Sequence, residues 1–450
     1  MRSVYSFSAA AALLAVALFS PSLLAADDAA AGANDWPAWR NQDRLGEWRE
    51  TGTISEFPEG GPEVSWRVPI KGGYGGPAVA AGRVYATDFD PDPKSYDGTE
   101  RLLCLNEESG EIIWEHTWRV NTRGTQAKYA NGPRATPTVD GDLVYIQGSM
   151  GDLIAVNVAD GSVAWEHDLV EEFGAIIPMW GISGSPLVDG EKLLVIVGGE
   201  PGAKVMAFNK TTGEEIWRSL GPEAGPGYSS PMIIEAGGTR QLIAWHPKGV
   251  DSLDPETGKP FWRIDTPTSM GQSIMTPVVA GNSLIVSGSS FGTTMIALGE
   301  TEPTAELLRQ DPNRSKRDDG LYAFMSTPVI DGDYMYGNDY NGSVRCVNHV
   351  TNELMWTTFE PSEDVGIANV FMVRNGAQFF ITNEAGELII AKLSPQGYEE
   401  IGRTKLVDAD NPNFAGGRRA SGMVNWVHPA YANGHIVHRN DQEIVRVNLK

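Results

Sequence analysis

Tryptophan returns along this chain at a nearly fixed interval. Trp66, Trp114, Trp165, Trp217 and Trp262 are separated by 48, 51, 52 and 45 residues, and Trp356 follows 94 further on, as if one mark had been skipped. A period of this length belongs to arrays in which each unit is one supersecondary element that buries its apolar face on its neighbours. The text between the marks repeats as well. Most units open on a small residue, Pro, any residue and Val, pass through Gly-x-x-Val-Tyr and an apolar stretch ending in Asn, and close on Thr-Gly-Glu-x-x-Trp. Unit two reads Thr136-Pro137-Thr138-Val139, Asp140-Gly141-Asp142-Leu143-Val144-Tyr145, Leu153-Ile154-Ala155-Val156-Asn157, then Asp160-Gly161 and Trp165.

Within a unit, apolar residues alternate with small or polar ones over four to six positions and are cut off by Gly, Asp or Pro, which is strand periodicity. Three strands are clear per unit and a fourth surrounds the Trp, the content of a propeller blade. Unit starts at Pro77, Pro137, Pro186, Pro231, Pro277, Pro328, Val370 and Pro429 count eight. The eighth stops at its third strand, Ile444 to Leu449, while Val64-Ser65-Trp66-Arg67-Val68 precedes unit one and carries an outer-strand Trp. The expectation is all-β: an eight-bladed propeller of four-stranded antiparallel blades, closed by pairing of the N-terminal outer strand with the C-terminal blade, so that no sheet edge stays open. Units five and seven lack the Trp and carry Leu308 and Tyr398 near the expected slot. A short helix is expected at Ala305 to Arg309 within the charged stretch 300–319.

The domain plan is a signal peptide over 1–26, a tether and aromatic lead segment over 27–62, and the propeller over 63–450. Arg2, the apolar run Ala9 to Phe19 and the small Ala25-Ala26 form a secretory leader. The run is short for a bilayer span and no later stretch qualifies, so an exported monomer without a transmembrane segment is expected, periplasmic or extracellular. The lead segment, with Trp36, Trp39 and Trp48, is expected on the ring wall or over one mouth. A formal net charge of −23 without a basic stripe repels phosphate backbones, which removes nucleic acid as a partner. Cys104 and Cys346 fall in units one and six at the position held elsewhere by Ala155, Ala207, Ser252, Ala297 and Ala391, a slot for a small buried side chain. Two such distant thiols are expected free.

Thr211-Thr212-Gly213-Glu214-Glu215-Ile216-Trp217, Glu256-Thr257-Gly258-Lys259-Pro260-Phe261-Trp262 and Ser109-Gly110-Glu111-Ile112-Ile113-Trp114 resemble the quinoprotein-type, or pyrroloquinoline-quinone (PQQ)-like, propeller repeat over nearly the whole chain. The resemblance implies that these tryptophans, with Trp165 and Trp356, pack flat between blades. It does not decide activity, because one fold hosts enzymes and inert scaffolds. The dehydrogenases of the superfamily hold PQQ with calcium on the ring axis under a disulfide between adjacent cysteines, and many add haem. Here no two cysteines are adjacent and no Cys-x-x-Cys-His motif exists. The other branch is exemplified by the B lipoprotein of the outer-membrane β-barrel assembly machinery, a periplasmic scaffold. This chain departs from it in having no Cys after the leader to accept lipid.

Loops entering each innermost strand and turns between second and third strands surround the axial funnel on one face. The first set supplies Tyr74, Lys128, Tyr129, Arg134, Trp180, Tyr228, Gln272, Tyr322, Asn369, Arg418, Arg419 and Trp426, and the second Trp245, His246 and Tyr340. Aromatic faces with scattered polar and basic groups suit a sugar, quinone or peptide. His246 is expected on a surface turn without a carboxylate partner, and no catalytic residue is assigned. The acidic insertion Asp88 to Gly98 lacks the spacing of a helix-loop-helix calcium site and is expected to be a solvated loop, so no metal is assigned. The expected function is an exported non-enzymatic scaffold that binds a protein or glycan partner at the funnel face, with no cofactor. The alternatives are an oxidoreductase dependent on PQQ with calcium or on another metal, and a secreted carbohydrate-active enzyme, for which Asp318, Asp319 and Asp364 are the available carboxylates.

Overall fold

The structure is a computed structural model that describes residues 1, 32–126, 132–221, 223–312, 320–362, 364, 367–411 and 423–450. The proposed leader, past Met1, falls outside this set. Alternating side chains and Gly-containing turns fold the chain into eight four-stranded antiparallel sheets. Blade 1 is Ala78–Ala80, Arg83–Pro91, Asp97–Asn106 and Ile112–Asn121, ordered from the axis outward. Blades 2 to 7 begin at the inner strands Thr138–Asp140, Leu187–Asp189, Met232–Ala236, Val278–Ala280, Val329–Asp331 and Val370–Asn375. Blade 8 takes Ala430–Ala432, His435–Arg439 and Glu443–Asn448 from the C-terminal end and Val64–Pro69 as its fourth strand. That strand pairs antiparallel with Glu443–Asn448, Val68 opposite Ile444, so the two ends of the ring close on each other as expected.

The repeated Gly and Trp are two halves of one contact. Gly110, Gly161, Gly213 and Gly258 have φ between 70° and 75°. A Cβ at these positions would lie 2.5–2.8 Å from ring atoms of Trp66, Trp114, Trp165 and Trp217, each on the preceding blade. Only Gly satisfies both the left-handed backbone and the flat approach of an indole. The indole N–H is satisfied across the same seam: Trp114 Nε1 donates to Val158 O at 2.9 Å, Trp165 to Lys210 O at 2.9 Å and Trp66 to Glu107 O at 2.8 Å. Cys104, Ala155, Ala207, Ser252 and Cys346 lie opposite the Trp within each blade, which explains their small size; both cysteines are free and buried.

Units five and seven lack the Trp altogether, and the register there corrects two sequence assignments. In blade 5 the residues 305–310 form a strand, not a helix, because they complete a fourth ladder. A bulge leaves Leu308 outward and exposed, and Arg309, opposite Met295, takes the Trp slot and donates to His349 O across the seam at 3.2 Å. In blade 7 Tyr398 pairs with Leu393, nearer the hairpin turn, while Gly402, opposite Ile390, holds the slot. Phe57 of the lead segment lies over it, 3.4 Å from where a Cβ would sit. Ala297 and Ala391 pair with Glu306 and Glu400 and so are not the small-slot positions of these blades.

At three axial seams the residue before the inner-strand Pro bonds the next blade. Thr136 N donates to Ser185 Oγ at 2.9 Å, Ser185 N to Ser230 Oγ at 3.0 Å and Thr276 N to Thr327 Oγ1 at 3.0 Å, each a hydroxyl of the next blade. Residues 34–50 thread into the axis as a reentrant loop. Trp36 bridges Val79, Pro37 O accepts from Val139 N at 2.8 Å, and Trp39 Nε1 donates to Thr276 Oγ1 at 2.8 Å. At the tip Arg44 Nη2 donates to Ser185 O at 3.1 Å. The chain then returns to blade 7, where Trp48 N donates to Arg374 O at 2.9 Å. Arg40, Asn41 and Arg44 have φ of 56°, 72° and 60°, so the tight tip is held against local preference by these blade contacts. The segment, expected on the ring wall or over one mouth, enters at one face and packs against the inner strands.

The acidic insertion extends the second hairpin turn of blade 1. Asp88 takes two bonds from Arg101, at 2.8 and 2.6 Å, and Asp97 accepts from Ser95 and Asn121 at 2.6 Å each. The insertion is thus not the solvated loop expected: strand pairing runs through most of it, Asp88 is fully buried, and its carboxylates are spread along the ladder with separate partners.

Trp217→Ala should lower the unfolding free energy by about 3–5 kcal/mol. Gly258→Ala should cost more than Gly141→Ala, since both have left-handed φ but only the former meets an indole. The expected losses are about 1–2 kcal/mol at Gly141 and a further ~1–3 kcal/mol at Gly258 from overpacking. Urea denaturation measures both; equal losses would remove the seam contact as the reason for the motif.

Candidate functional site

The loops that enter the inner strands gather on one face around a blind axial cavity of about 480 Å³. Its walls are supplied by all sectors of the ring: Tyr74 and Arg134 from the entries to blades 1 and 2, Trp180 and Ser183 from the entry to blade 3, Tyr228 and Ser230 from that to blade 4. Met270, Gln272 and Ile274 follow, then Phe324, Met325 and Tyr340, and finally Ile367, Phe371, Trp426 and His428. Trp39, brought up by the reentrant loop, closes the inner end and turns a through-channel into a pocket.

Of the sequence candidates, Tyr74, Arg134, Trp180, Tyr228, Gln272, Tyr340 and Trp426 are brought together here. Lys128, Tyr129, Arg418 and Arg419, with Asp318 and Asp319, lie outside the described residues. Four others do not line the cavity. Trp245 is buried between blades with Phe291 edge-on at 6.3 Å, because it belongs to the strand body of Thr239–His246. His246 ends that strand, fully buried, with Nε2 2.5 Å from Asp251 Oδ2 and Nδ1 accepting from Lys248 N at 3.2 Å. This corrects the surface-turn assignment: the imidazole is a turn brace with a carboxylate partner, and burial lowers its pKa. Tyr322 is buried and spends its hydroxyl on Pro312 O at 2.6 Å. Asn369 is buried behind the wall, its N–H donating to Glu384 Oε2 at 3.2 Å.

Sequence reasoning missed Trp39 and His428. Trp39 lies outside the repeat, so no register could place it. His428 was legible: it occupies the small-Pro position that is Gly76, Thr136, Ser185, Ser230, Thr276 and Thr327 in six other units. An imidazole there cannot tuck into the seam and stands in the wall.

Among the aromatic and aliphatic lining stand Arg134, Gln272, His428, five serines and three tyrosines, and several of these are held by neighbours. Arg134 stacks on Tyr74, 4.7 Å from guanidinium to ring centroid, and its Nε donates to Trp180 O at 2.8 Å. Burial lowers its pKa, opposed by Tyr74 and Tyr228, and burial pushes the Tyr228 phenol up to about 12. Trp180 leans on Tyr228 at 5.8 Å, and Trp426 Nε1 donates to Glu384 Oε2 at 3.1 Å. His428 sits between Trp39 and Phe371, at 4.9 and 5.3 Å, with Nδ1 2.7 Å from Pro429 O. A carbonyl only accepts, so Nδ1 carries the proton and Nε2 is a bare lone pair, and Nε2 has no partner.

Among the described lining residues there is no Asp, Glu, Lys or Cys. Calcium takes six to eight oxygens led by carboxylates, so these residues do not fit the calcium that accompanies PQQ. A nucleophile beside a base, or a pair of facing carboxylates, is likewise not formed by the described lining.

His428 is pushed down to about 3 by burial, with the Arg40 charge adding to it, and His438 to about 3 by burial and then Arg439. Each folded pKa lies below the ordinary histidine value. The stability these neutral rings carry is therefore complete above pH ~6.5 and lost as pH falls toward ~3. His428→Phe should flatten the decline in unfolding free energy between about pH 6 and 4 by close to one proton of slope, about 1.4 kcal/mol per pH unit. Urea titrations across that range measure it; an unchanged slope would mean the ring is charged in the fold.

A family model described as outer membrane protein assembly factor BamB matches residues 50–196 and 100–358. The assembly factor BamB of Alteromonas naphthalenivorans is 26% identical over 234 residues, 50% of this chain and 54% of that protein, so the chain spans about half the length of this relative. The crystal structure of BamB from Moraxella catarrhalis superposes with a TM-score of 0.53 and 15% identity over 86% of this chain and 99% of the other. Quinohemoprotein alcohol dehydrogenase from Comamonas testosteroni gives 0.61 and 13% over 93% and 81%. At such identities the two structures speak for the fold alone. The matched stretches together run from residue 50 to residue 358, well over half the sequence, and the chain belongs to the PQQ-like repeat family described as outer membrane protein assembly factor BamB.

Proposed function

We propose that this chain is an exported, non-enzymatic scaffold that serves the assembly of outer-membrane proteins by docking a protein partner on the loop face. The observation that carries this reading is the rim of the axial cavity. Ile176, Met179, Met270 and Met423 stand 47, 40, 60 and 41% exposed on loops of that face, in a chain of net charge −23. Flexible Met side chains around an aromatic pocket form an adaptable apolar surface of the kind that receives a protein. Catalysis draws no support from the described wall, which offers no acid, base or nucleophile pair. The leader expected over 1–26 makes the periplasm the compartment in which such a scaffold works. No helix among the described residues is long and apolar enough to cross a membrane.

A photo-crosslinking amino acid placed at Met179 or Met270 should capture an outer-membrane assembly protein in cells of the source organism, identified by mass spectrometry. The same group at Val163, exposed on an outer strand, should not. With the crosslinker moved to Ile176 on the same rim, Met179→Asp with Met270→Asp should weaken capture roughly tenfold, about 1.4 kcal/mol. Capture at Val163 alone would move the partner to the ring's outer wall and end this reading.

A further inference from the structure

The wall of the axial cavity is not uniform around the ring. Ser269 and Gln272 lie on the loop that enters blade 5, and Ser290 lies in the turn between that blade's second and third strands, Ser283–Gly288 and Gly292–Leu298. These two hydroxyls and the carboxamide are bonded to no other group among the described residues, and none is sealed away: Ser269 is exposed, Gln272 and Ser290 half-buried. Trp180 and Trp426 stand on other sectors, at the entries to blades 3 and 8, and Trp39 stands at the inner end. All three are half-buried and line the cavity. Trp39 and Trp426 have their N–H groups engaged by Thr276 and Glu384, so they present ring faces and not donors. Arg134, the one described lining residue with a permanent charge, is held by the Tyr74 ring and Trp180 O. The cavity therefore joins open indole faces to one neutral sector of groups that both donate and accept.

We infer that the axial cavity binds a neutral saccharide, with the C–H face of a pyranose ring on an indole and its hydroxyl edge toward Ser269, Gln272 and Ser290. A serine hydroxyl and a carboxamide each donate and accept, and so does every sugar hydroxyl, so the pairs form in either sense. A quinone only accepts, and would cover the Gln272 carbonyl without answering it. A purely apolar ring would cover all three polar groups, and a cation finds no carboxylate among the described lining residues. The volume of about 480 Å³ lies in the range of small-molecule sites. Because Trp39 closes the inner end, a glycan chain cannot thread through and enters by its end. The saccharide is thus a free small sugar or the terminal unit of a longer glycan. With no acid–base pair in the described wall, it is bound and not cleaved. This site lies below the rim and does not rest on the docking of a protein there.

The test is calorimetric titration of the mature protein with maltose, cellobiose, lactose and diacetylchitobiose. At least one should bind saturably, with a Kd below about 5 mM, and change the tryptophan fluorescence on binding. Gln272→Met with Ser290→Ala removes the open hydrogen-bonding groups and keeps the bulk, and should weaken that sugar about tenfold. Trp180→Ala should weaken it by at least about tenfold through the lost ring face. The Gln272 and Ser290 variant, altered only at half-buried sites, serves if the tryptophan variant fails to fold. A longer oligomer of the bound sugar separates the sources: affinity equal to or above that of the disaccharide assigns a glycan end, and loss of binding assigns a free sugar. Failure of every one of these disaccharides to bind at up to about 50 mM overturns the inference. So does binding that both variants leave unchanged, since the sugar would then sit elsewhere.

Discussion

The ring depends on an indole laid flat on a glycine of the next blade. The glycine contributes a left-handed turn and the absence of a Cβ; the indole contributes area and an N–H that a carbonyl across the seam accepts. At four successive seams, from blade 8 to blade 4, this one close contact sets the angle between neighbours. One of these contacts is made by Trp66, which belongs to the other end of the strand array, so closure reuses the contact that builds the next three seams. Where the indole is missing the seam is still bridged. Arg309 makes a substitute bond to His349 O, and Phe57 is lent by the lead segment to cover Gly402.

On the axial side a second contact recurs at three seams, a hydroxyl of one blade answering a backbone N–H of the one before. Small hydroxyl residues keep the channel open at that level, and the open channel accepts residues 34–50. The reentrant loop is therefore a consequence of the inner seam as much as a feature of its own sequence. By closing the channel with Trp39 it determines that the mouth leads to a pocket, and by lying against Thr276, Ser185 and Arg374 it ties blades 5, 3 and 7 to one short segment.

The period made the blades, their number and the exchanged strand legible, because interblade packing repeats the same residues at the same offsets. It also placed Tyr74, Arg134, Trp180, Tyr228, Gln272 and Trp426 on one face, since a loop that enters an inner strand has only one side of the ring to occupy. It failed within one or two residues of a turn: Trp245 and His246 lie just before Pro247, yet strand pairing carries both between blades. It failed again at bulges, where one extra residue moved the slot from Leu308 to Arg309. Ala305 to Arg309 looked helical in isolation and became strand because the blade needed a fourth ladder, a tertiary demand that local pattern does not contain. Trp39 had no counterpart in the repeat, so only the fold could bring it to the axis.

The same seam logic bears on how the mouth is presented. The reentrant loop enters beside the turn of blade 8, where Asn433 N donates to Asn34 O, and beside Ala81 in the first turn of blade 1, whose N–H donates to Asp35. These turns follow the inner strands and lie on the side away from the loops that enter them. Asn34 and Asp35 therefore meet the ring on the face opposite the cavity. The loop that closes the pocket from within thus enters from that opposite face.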